Sequence, residues 1–357
     1  MLPYWLLFLF AAYQAISKVR PEQLKTSLAI FQWRLIGAII FLMVGLRFEV
    51  GGDWFVYLNN LTEIDLPFNQ IMEYGKGDLL FNVLSWVGVK TGLGIYLPNL
   101  FAASAFTLGL MTFCRNCPRP WLGLLLAVPY LVIVVAMGYT RQGAAIGMIL
   151  IAMVALEKKS IFKFLFWTVI AAFFHKSAVI LIPLALFSGV RRPVMSAFLL
   201  ACTGTLLFVL LLQEHVDSLI YGYIDNKYQS TGAAIRVAMN AVPACIFLLF
   251  RSRFRLDSAK QSFWSWMSWG ALGFILILYL SPSSTAVDRV ALYWIPLQMY
   301  VGSRFPDAMV VSGRSTAWWV SLVVSYCAAV QFVWLFFAET AFAWVPYKFF
   351  PWEWLWK

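Results

Sequence analysis

The chain has few charged residues: 12% of its 357 residues are Asp, Glu, Lys or Arg, while 62% are hydrophobic. Soluble globular domains carry about 25% charge, so this deficit excludes that class. Long apolar runs recur along the whole chain, and several are long enough to cross the roughly 30 Å hydrocarbon core of a bilayer as a helix. Examples of such runs are 29–45, 121–137, 194–212 and 318–338. The sequence therefore predicts an all-α, polytopic integral membrane protein.

Several motifs of catalysis and ligand binding are also absent. No Gly-rich loop followed by Lys and Ser/Thr occurs, which disfavours an ATP-driven transporter. The chain has only two histidines, His175 and His215, and they do not form the paired motif of a metalloprotease. No carboxylate pair has the usual arrangement for holding a divalent ion. We therefore expect neither a metal nor another cofactor.

Cysteine is scarce too, with five residues that are too scattered to form a disulfide framework. Cys114 and Cys117 have the spacing of a metal or redox pair, but no second pair and no nearby histidine accompany them. The net charge is +11, which in a soluble protein would suggest nucleic acid. Here most basic residues lie in short loops between apolar runs, where they act as orientation signals. Nucleic acid is therefore not an expected partner.

The basic loops predict the orientation of the chain, because loops rich in Lys and Arg stay in the cytoplasm. Consecutive spans cross in opposite directions, so both termini and the remaining loops are predicted on the external face. The basic loops contain Lys18, Arg20, Lys25, Arg115, Arg119, Lys158, Lys159, Arg191, Arg192, Arg251, Arg253, Arg255, Lys260, Arg304 and Arg314. The predicted external loops are about 47–78 and 213–235, together with turns at 139–141, 175 and 281–288.

The run 79–89 is apolar but too short for a full crossing, and we interpret it as a partly inserted or amphipathic helix. About twelve full spans are then predicted, in a single transmembrane domain of residues 1–357 whose external loops form the active site. The tail of about 339–357 is rich in tryptophan, which favours the headgroup layer. The sequence predicts an interfacial anchor there, carried by Trp344, Trp352, Trp354 and Trp356.

Four arginines fall at the external ends of predicted spans, and these are Arg47, Arg141, Arg236 and Arg289. A cation within a span costs roughly 2.5 to 3.5 kcal/mol on insertion scales, so four on one face indicate a water-filled anionic site. Planar guanidinium groups bind phosphate oxygens in bidentate fashion, which favours a diphosphate ligand. Two simpler interpretations stay open. Arg47 could form an ion pair with Asp53, and Arg141 could extend to the headgroups.

Two side chains near these arginines are candidate proton acceptors. Asp53 follows Gly52 in an external loop, and His175 lies in a tight turn between two apolar runs. Either group can act as a general base, although a histidine in such a turn can also be a structural hydrogen-bonding residue. Four further residues, Gly52, Tyr57, Tyr139 and Ser177, are candidate supporting residues. In the loop 213–235, Tyr221, Tyr223 and Tyr228 could stack on sugar rings or lie in the interfacial belt, while His215 is expected to be solvated.

The segment from Arg47 to Tyr57 resembles the arginine, glycine-aspartate and tyrosine pattern of the EpsG-like family of bacterial polysaccharide polymerases, which is related to the Wzy type. Arg141 with its small-residue helix, and His175-x-Ser177-Ala178, are similar to that family's pattern in order and spacing. The resemblance covers roughly residues 28–190, and the remainder only through topology and Arg289. The family often has a glutamate before an amphipathic helix, a place that Glu73 or Asp78 could fill. At position 52, before the aspartate, this chain has glycine, whereas a hydroxyl residue is common there in the family.

The resemblance implies an enzyme that joins oligosaccharide repeat units carried on undecaprenyl diphosphate, at the outer face of the bacterial cytoplasmic membrane. The absence of metal-binding motifs favours a metal-independent glycosyl transfer. In the mechanism that we hypothesise, the four arginines bind the leaving diphosphate and Asp53 or His175 takes the proton of the attacking hydroxyl. The expected partners are that lipid-linked substrate, the lipid bilayer and, as a candidate, a chain-length regulator protein. The alternatives are a flippase or other transporter of lipid-linked oligosaccharide, an O-antigen ligase-type transferase and, more distantly, a membrane acyltransferase.

Overall fold

A computed structural model of the protein describes residues 1–17, 26–71, 78–187, 193–209, 229–310 and 314–355. The regular elements in these ranges are helical, so the predicted all-α class is confirmed. The N-terminal half contains α1 (Leu2–Ser17), α2 (Ser27–Gly45), α3 (Trp54–Glu63), α4 (Phe68–Ile71), α5 (Leu79–Thr91), α6 (Tyr96–Arg115), α7 (Pro120–Ala127), α8 (Thr140–Glu157) and α9 (Ile161–Phe174). The C-terminal half contains α10 (Pro193–Leu207), α11 (Ala233–Phe250), α12 (Ser258–Leu280), α13 (Ser284–Ala291), α14 (Ile295–Met309), α15 (Ala317–Phe337) and α16 (Phe350–Leu355).

Six helices in the described ranges are long and apolar enough to cross a membrane: α2, α6, α8, α11 with its continuation to Phe254, α12 and α15. Shorter apolar helices accompany them, among them a 3-10 helix over Lys176–Phe187. The predicted count of about twelve full spans therefore stays a prediction. Helix α5 has 13 residues, about 20 Å at 1.5 Å per residue, which is short of the bilayer core.

Helix α8 packs against α6 through glycines. A Cβ atom on Gly147 would lie 2.4 Å from the Cα of Phe106, and one on Gly109 would lie 1.8 Å from the carbonyl oxygen of Gly147. Only glycine permits this approach, because any side chain would collide with the facing backbone. In the sequence, Gly143 and Gly147 form a small-xxx-small pattern that predicts a close helix contact, and Gly147 makes that contact with α6. Helix α8, whose first turn carries Arg141, is thereby fixed in the centre of the bundle.

Helix α7 continues as a π-helix over Val128–Ala136, and a short turn then leads into α8 at Thr140. The turn is so tight that a Cβ atom on Gly143 would lie 2.9 Å from the Cα of Ala136. The sequence predicts that Arg141 opens the second helix of a hairpin, which is what the structure contains. Tyr139 and Arg141 are thus held at one end of the bundle, with almost no loop between the helices.

The segment that follows α15 folds back onto the loop that follows α2. Phe48 donates its backbone N–H to Lys348 at 3.1 Å, and Phe350 donates to Leu46 at 2.9 Å, around a single antiparallel bridge between Arg47 and Phe349. Trp344 is 2% exposed, so it is a core residue and the predicted bilayer anchor is wrong for this position. Trp352, by contrast, is 68% exposed.

Candidate functional site

The charged residues predicted to form a site meet at one end of the bundle, where α3, α5, α8, α9, α11 and α13 begin or end. Hydrogen bonds connect residues that are far apart in the sequence, such as Arg47 to Thr140 and Arg141 to Asp78. The four arginines nevertheless differ in exposure and in partners. Each therefore has to be considered by itself.

Arg47 lies entirely inside the protein, with 0% exposure. Its guanidinium donates to the carbonyl oxygens of Val44 and Val50 and to the hydroxyl of Thr140, the last at 2.7 Å. The alternative in which Arg47 pairs directly with Asp53 is wrong, because these oxygens surround the guanidinium instead. Burial lowers the pKa of Arg47 to about 10, so the group keeps its charge at neutral pH. Arg47 thus joins the end of α2 to the start of α8.

Asp78 is the centre of the first polar cluster. Its Oδ2 atom accepts from the Arg141 guanidinium at 3.0 Å and lies 3.0 Å from Nδ1 of His175. Its Oδ1 atom accepts the backbone N–H of Lys176 at 3.0 Å. The carboxylate itself is nearly inaccessible, at 3% exposure, whereas Arg141 is 29% and His175 23% exposed. Asp78 therefore fixes two side chains that reach the surface of the site.

Burial by itself would raise the pKa of Asp78, but His175, Arg141 and the backbone N–H of Lys176 together hold that pKa below its ordinary value. The carboxyl is therefore ionised at neutral pH and can only accept hydrogen bonds. A neutral His175 must then direct its Nδ1–H at Asp78, which leaves Nε2 as the basic nitrogen. This is the arrangement by which a carboxylate orients a general base.

Asp53 belongs to the same cluster through a tyrosine. The hydroxyl of Tyr57 donates to Oδ2 of Asp53 at 2.7 Å and accepts from Nε of Arg141 at 3.2 Å. Burial, and then the neighbouring Asp53 carboxylate, raise the pKa of Tyr57, so the phenol stays protonated. Gly52, predicted as a supporting residue, is exposed beside Asp53. The arrangement connects Asp53 to Arg141 without direct contact.

A second cluster is built around Asp288 in α13. Arg236 in the first turn of α11 holds this carboxylate with both arms of its guanidinium, and Ser230 donates to the same carboxylate at 3.0 Å. The predicted external loop extends to residue 235, whereas helix α11 already begins at Ala233, two residues earlier. With Asp288 bound in this way, the planar fork of Arg236 is already occupied.

Arg289 differs from the other three arginines. Its Cζ atom lies 4.1 Å from the centroid of the Tyr139 ring, and its backbone carbonyl accepts from the Gln142 side chain. Within the described ranges, no carboxylate lies within ion-pair distance of its guanidinium. The hydroxyl of Ser177 lies 3.1 Å from that of Tyr293, one turn beyond Arg289. Arg289 and the turn at Tyr139 therefore connect the two clusters.

The charges of the described residues in the two clusters do not cancel. Five cationic side chains accompany three carboxylates among them: Arg47, Arg141, Lys176, Arg236 and Arg289 against Asp53, Asp78 and Asp288. Glu49 nearby is paired with Lys348. Most of the carboxylate oxygens are taken up by Arg141, Arg236, Tyr57 and His175. The excess of positive charge suits an anion that carries about two negative charges, as a diphosphate diester does.

The two carboxylates at the centres of the clusters were not singled out as site residues from the sequence. Asp78 appeared there only as one of two candidates for an acidic position, and Asp288 only as the last position of the predicted turn 281–288. The signal that could have identified Asp78 is its place immediately before the short helix α5. Several residues considered from the sequence lie outside the described residues: Glu73, His215, Tyr221, Tyr223, Tyr228 and Trp356. The side-chain burial of Trp354 is not described either.

One comparison with known proteins identifies a relationship. A family model described as "EpsG family" matches residues 30–349, which is nearly the whole chain. The match extends through the segments that carry both clusters, including α11 and α13. No curated protein and no solved structure matches the chain.

Proposed function

The chain belongs to the EpsG family of polysaccharide polymerase-type membrane proteins, and on this premise we propose that it joins oligosaccharide repeat units carried on undecaprenyl diphosphate. The reaction is a metal-independent glycosyl transfer. A hydroxyl of the acceptor unit attacks the anomeric carbon of the donor chain, and the bond from that carbon to the lipid diphosphate breaks. The products are a lengthened chain on one lipid and free undecaprenyl diphosphate.

The observation that carries this proposal is the environment of the Arg289 guanidinium. Its guanidinium lies over Tyr139, reaches the site and has no acidic partner in the described part of the chain. A preorganised cation of this kind stabilises the charge that develops on the leaving diphosphate. Arg141, which is partly exposed and uses only Nε and one terminal nitrogen toward Tyr57 and Asp78, supplies a second contact.

The remaining two arginines, Arg47 and Arg236, have a structural role in the proposed site. Arg47 is fully buried and Arg236 is bound to Asp288, so we assign them to holding the loops in place and to the local positive potential. This departs from the prediction that all four guanidiniums touch the diphosphate. The Lys176 side chain, which follows His175 directly, adds a cation to the same potential.

Between the two candidate bases, the geometry favours His175. Asp78 accepts from Nδ1, which leaves Nε2 of a partly exposed ring to take the proton of the attacking hydroxyl. One carboxylate oxygen of Asp53 accepts from the Tyr57 hydroxyl, and this hydroxyl lies between Asp53 and Arg141. We assign Asp53 to ordering Tyr57 and Arg141.

The proposed location is the cytoplasmic membrane of a bacterium, with both clusters on the external face. The support is the distribution of basic loops, which lie away from this end of the bundle: Arg119 and Arg304, for example, contact Asp307 and Tyr300 respectively, in the region around the end of α14. The predicted lipid-linked substrate and a chain-length regulator belong to the proposal as partners.

The test is a reconstitution. The purified protein in lipid vesicles is incubated with undecaprenyl-diphosphate-linked repeat units, without nucleotide and with a chelator, and the products are separated on a gel. A ladder of longer lipid-linked chains supports the polymerase. Transfer to a different acceptor without a ladder would indicate a ligase, and movement of intact substrate across the bilayer without covalent change would indicate a flippase. Either of these results would overturn the proposal.

A further inference from the structure

The indole of Trp344 contacts both loops that carry the site residues. A Cβ atom on Gly138 would lie 1.9 Å from Cζ2 of this indole, and one on Gly52 would lie 3.6 Å from Cη2. Gly138 precedes Tyr139 and is three residues before Arg141, while Gly52 directly precedes Asp53. One edge of the indole, at Cζ2 and Cη2, thus packs against both the Asp53 loop and the Arg141 turn.

Trp344 is itself fixed on several sides. Its indole N–H donates to the carbonyl of Ile133 at 2.8 Å, within the π-helix, and its backbone carbonyl accepts from the Tyr4 hydroxyl at 2.8 Å. The Trp334 ring packs edge-on against it, with centroids 5.0 Å apart. The indole therefore occupies one defined position relative to α1, α7 and α15.

The neighbouring backbone reinforces this arrangement. Gly51 donates its N–H to the carbonyl of Ala343 at 2.8 Å, and Phe48 donates to Lys348 at 3.1 Å. Gly51 has a φ of +100°, and a Cβ there would lie 2.0 Å from the carbonyl oxygen of Met137. The loop of Asp53 therefore lies in direct backbone contact with both the turn of Arg141 and the C-terminal segment.

We propose that Trp344 is a positioning residue of the active site, which sets the placement of Asp53 relative to Arg141 by packing against both Gly52 and Gly138. This inference rests on the proposed function, because this placement matters for the reaction of the lipid-linked substrate. A displacement of about 1 Å in a catalytic constellation can lower a rate by about 100-fold without removing any catalytic group.

The first experiment compares Trp344→Phe with Trp352→Phe in the reconstituted assay. Phenylalanine at 344 loses the indole N–H and the atoms that reach Gly138, so kcat should fall about tenfold or more while KM stays within about twofold. Trp352 lies in the same tail but is 68% exposed, so its replacement should leave both constants unchanged. A W344F variant with unchanged kcat would overturn the inference.

A second experiment tests the contact itself. Gly138→Ala alone should reduce kcat sharply, because the new methyl group collides with the indole. Adding Trp344→Phe makes room for that methyl group, so the double variant should be more active than Gly138→Ala alone. A general structural defect would instead make the double variant worse than either single one, and that outcome would contradict a positioning role.

A third measurement needs no substrate and therefore separates this inference from the proposed function. Hydrogen–deuterium exchange of Trp344→Phe should be faster at the amides of Phe48 and Gly51 and in residues 137–141, but unchanged in α10. If the wild type makes no polymer yet the exchange pattern appears, the proposed function fails and the positioning of the loops stands. Unchanged exchange in both loops would refute the inference. Should W344F not fold, Tyr4→Phe, which removes only the bond to the Trp344 carbonyl, should give the same pattern in weaker form.

Discussion

Arg289 lies over the ring of Tyr139, with its Cζ atom 4.1 Å from the ring centroid. The contact holds a guanidinium near Arg141 without neutralising it, since an aromatic face attracts a cation but brings no opposite charge. The carboxylate that precedes it, Asp288, is directed at Arg236 instead. In the described part of the chain, Arg289 thus has no carboxylate partner, whereas Arg141 and Arg236 are each paired with one.

Replacement of Arg289 by alanine should lower donor turnover about 100-fold, since it removes a preorganised cation at the leaving diphosphate. Arg289→Lys should recover only part of the activity, because an ammonium lacks the planar fork. Initial rates on lipid-linked repeat units give the measurement. The matched control is Arg304→Ala in α14. Arg304 also lies over a tyrosine ring, with its Cζ atom 3.5 Å from the centroid of Tyr300. Equal losses in the two variants would contradict the assignment.

His175→Ala should lower kcat by about 100-fold or more, the usual size of a lost general base. Asp53→Asn should cost less than about tenfold, because an amide oxygen can still accept from Tyr57. The comparison requires rates at equal amounts of folded protein. An inactive D53N together with an active H175A would transfer the role of base to Asp53.

Arg47→Ala should destabilise the protein rather than affect the chemistry alone. The substitution leaves the buried oxygens of Val44, Val50 and Thr140 without their donor, at a cost on the order of 3 kcal/mol. Thermal unfolding in detergent should show a clearly lowered midpoint. Arg34→Ala is the control, since Arg34 is exposed on helix α2, the helix that Arg47 follows. A midpoint equal to that of R34A would contradict the buried role.

The contribution of Asp78 to stability should depend on pH in one direction. Its pKa in the folded protein lies below the ordinary value, so its stabilising effect is complete above about pH 4, the value of an unperturbed Asp, and declines as pH falls through the folded pKa. The difference in unfolding midpoint between the wild type and Asp78→Asn should therefore be constant near neutrality and shrink in acid. A difference that grows as pH falls would refute this.

Much of the fold could be predicted from the sequence because its signals are local. A run such as 318–338 is apolar throughout, and hydrogen-bonding its backbone within a bilayer requires a helix, which α15 forms. The tight turn before Arg141 was equally readable, since two apolar runs are separated there by only a few polar residues. The gathering of arginines at one end followed from the alternation of spans.

The partners of those arginines could not be predicted in the same way. Arg47 contacts Thr140, Arg141 contacts Asp78, and Arg236 contacts Asp288 across long separations in the chain, so their pairing depends on how the helices pack. The burial of Trp344 could not be predicted either. A tryptophan in a tryptophan-rich C-terminal tail is typical of an interfacial residue, yet Trp344 is buried beneath the site.

The sequence by itself thus determined the helical membrane class, the arginines at the helix ends and the candidate bases, because hydropathy and charge act over one or two helical turns. Only the tertiary structure decided that Asp78 orients His175, that Arg47 is buried and that Arg289 lacks a carboxylate partner among the described residues. The physical reason is that an ion pair or hydrogen bond is fixed within about 3 Å, a distance that only the packing of the whole bundle sets.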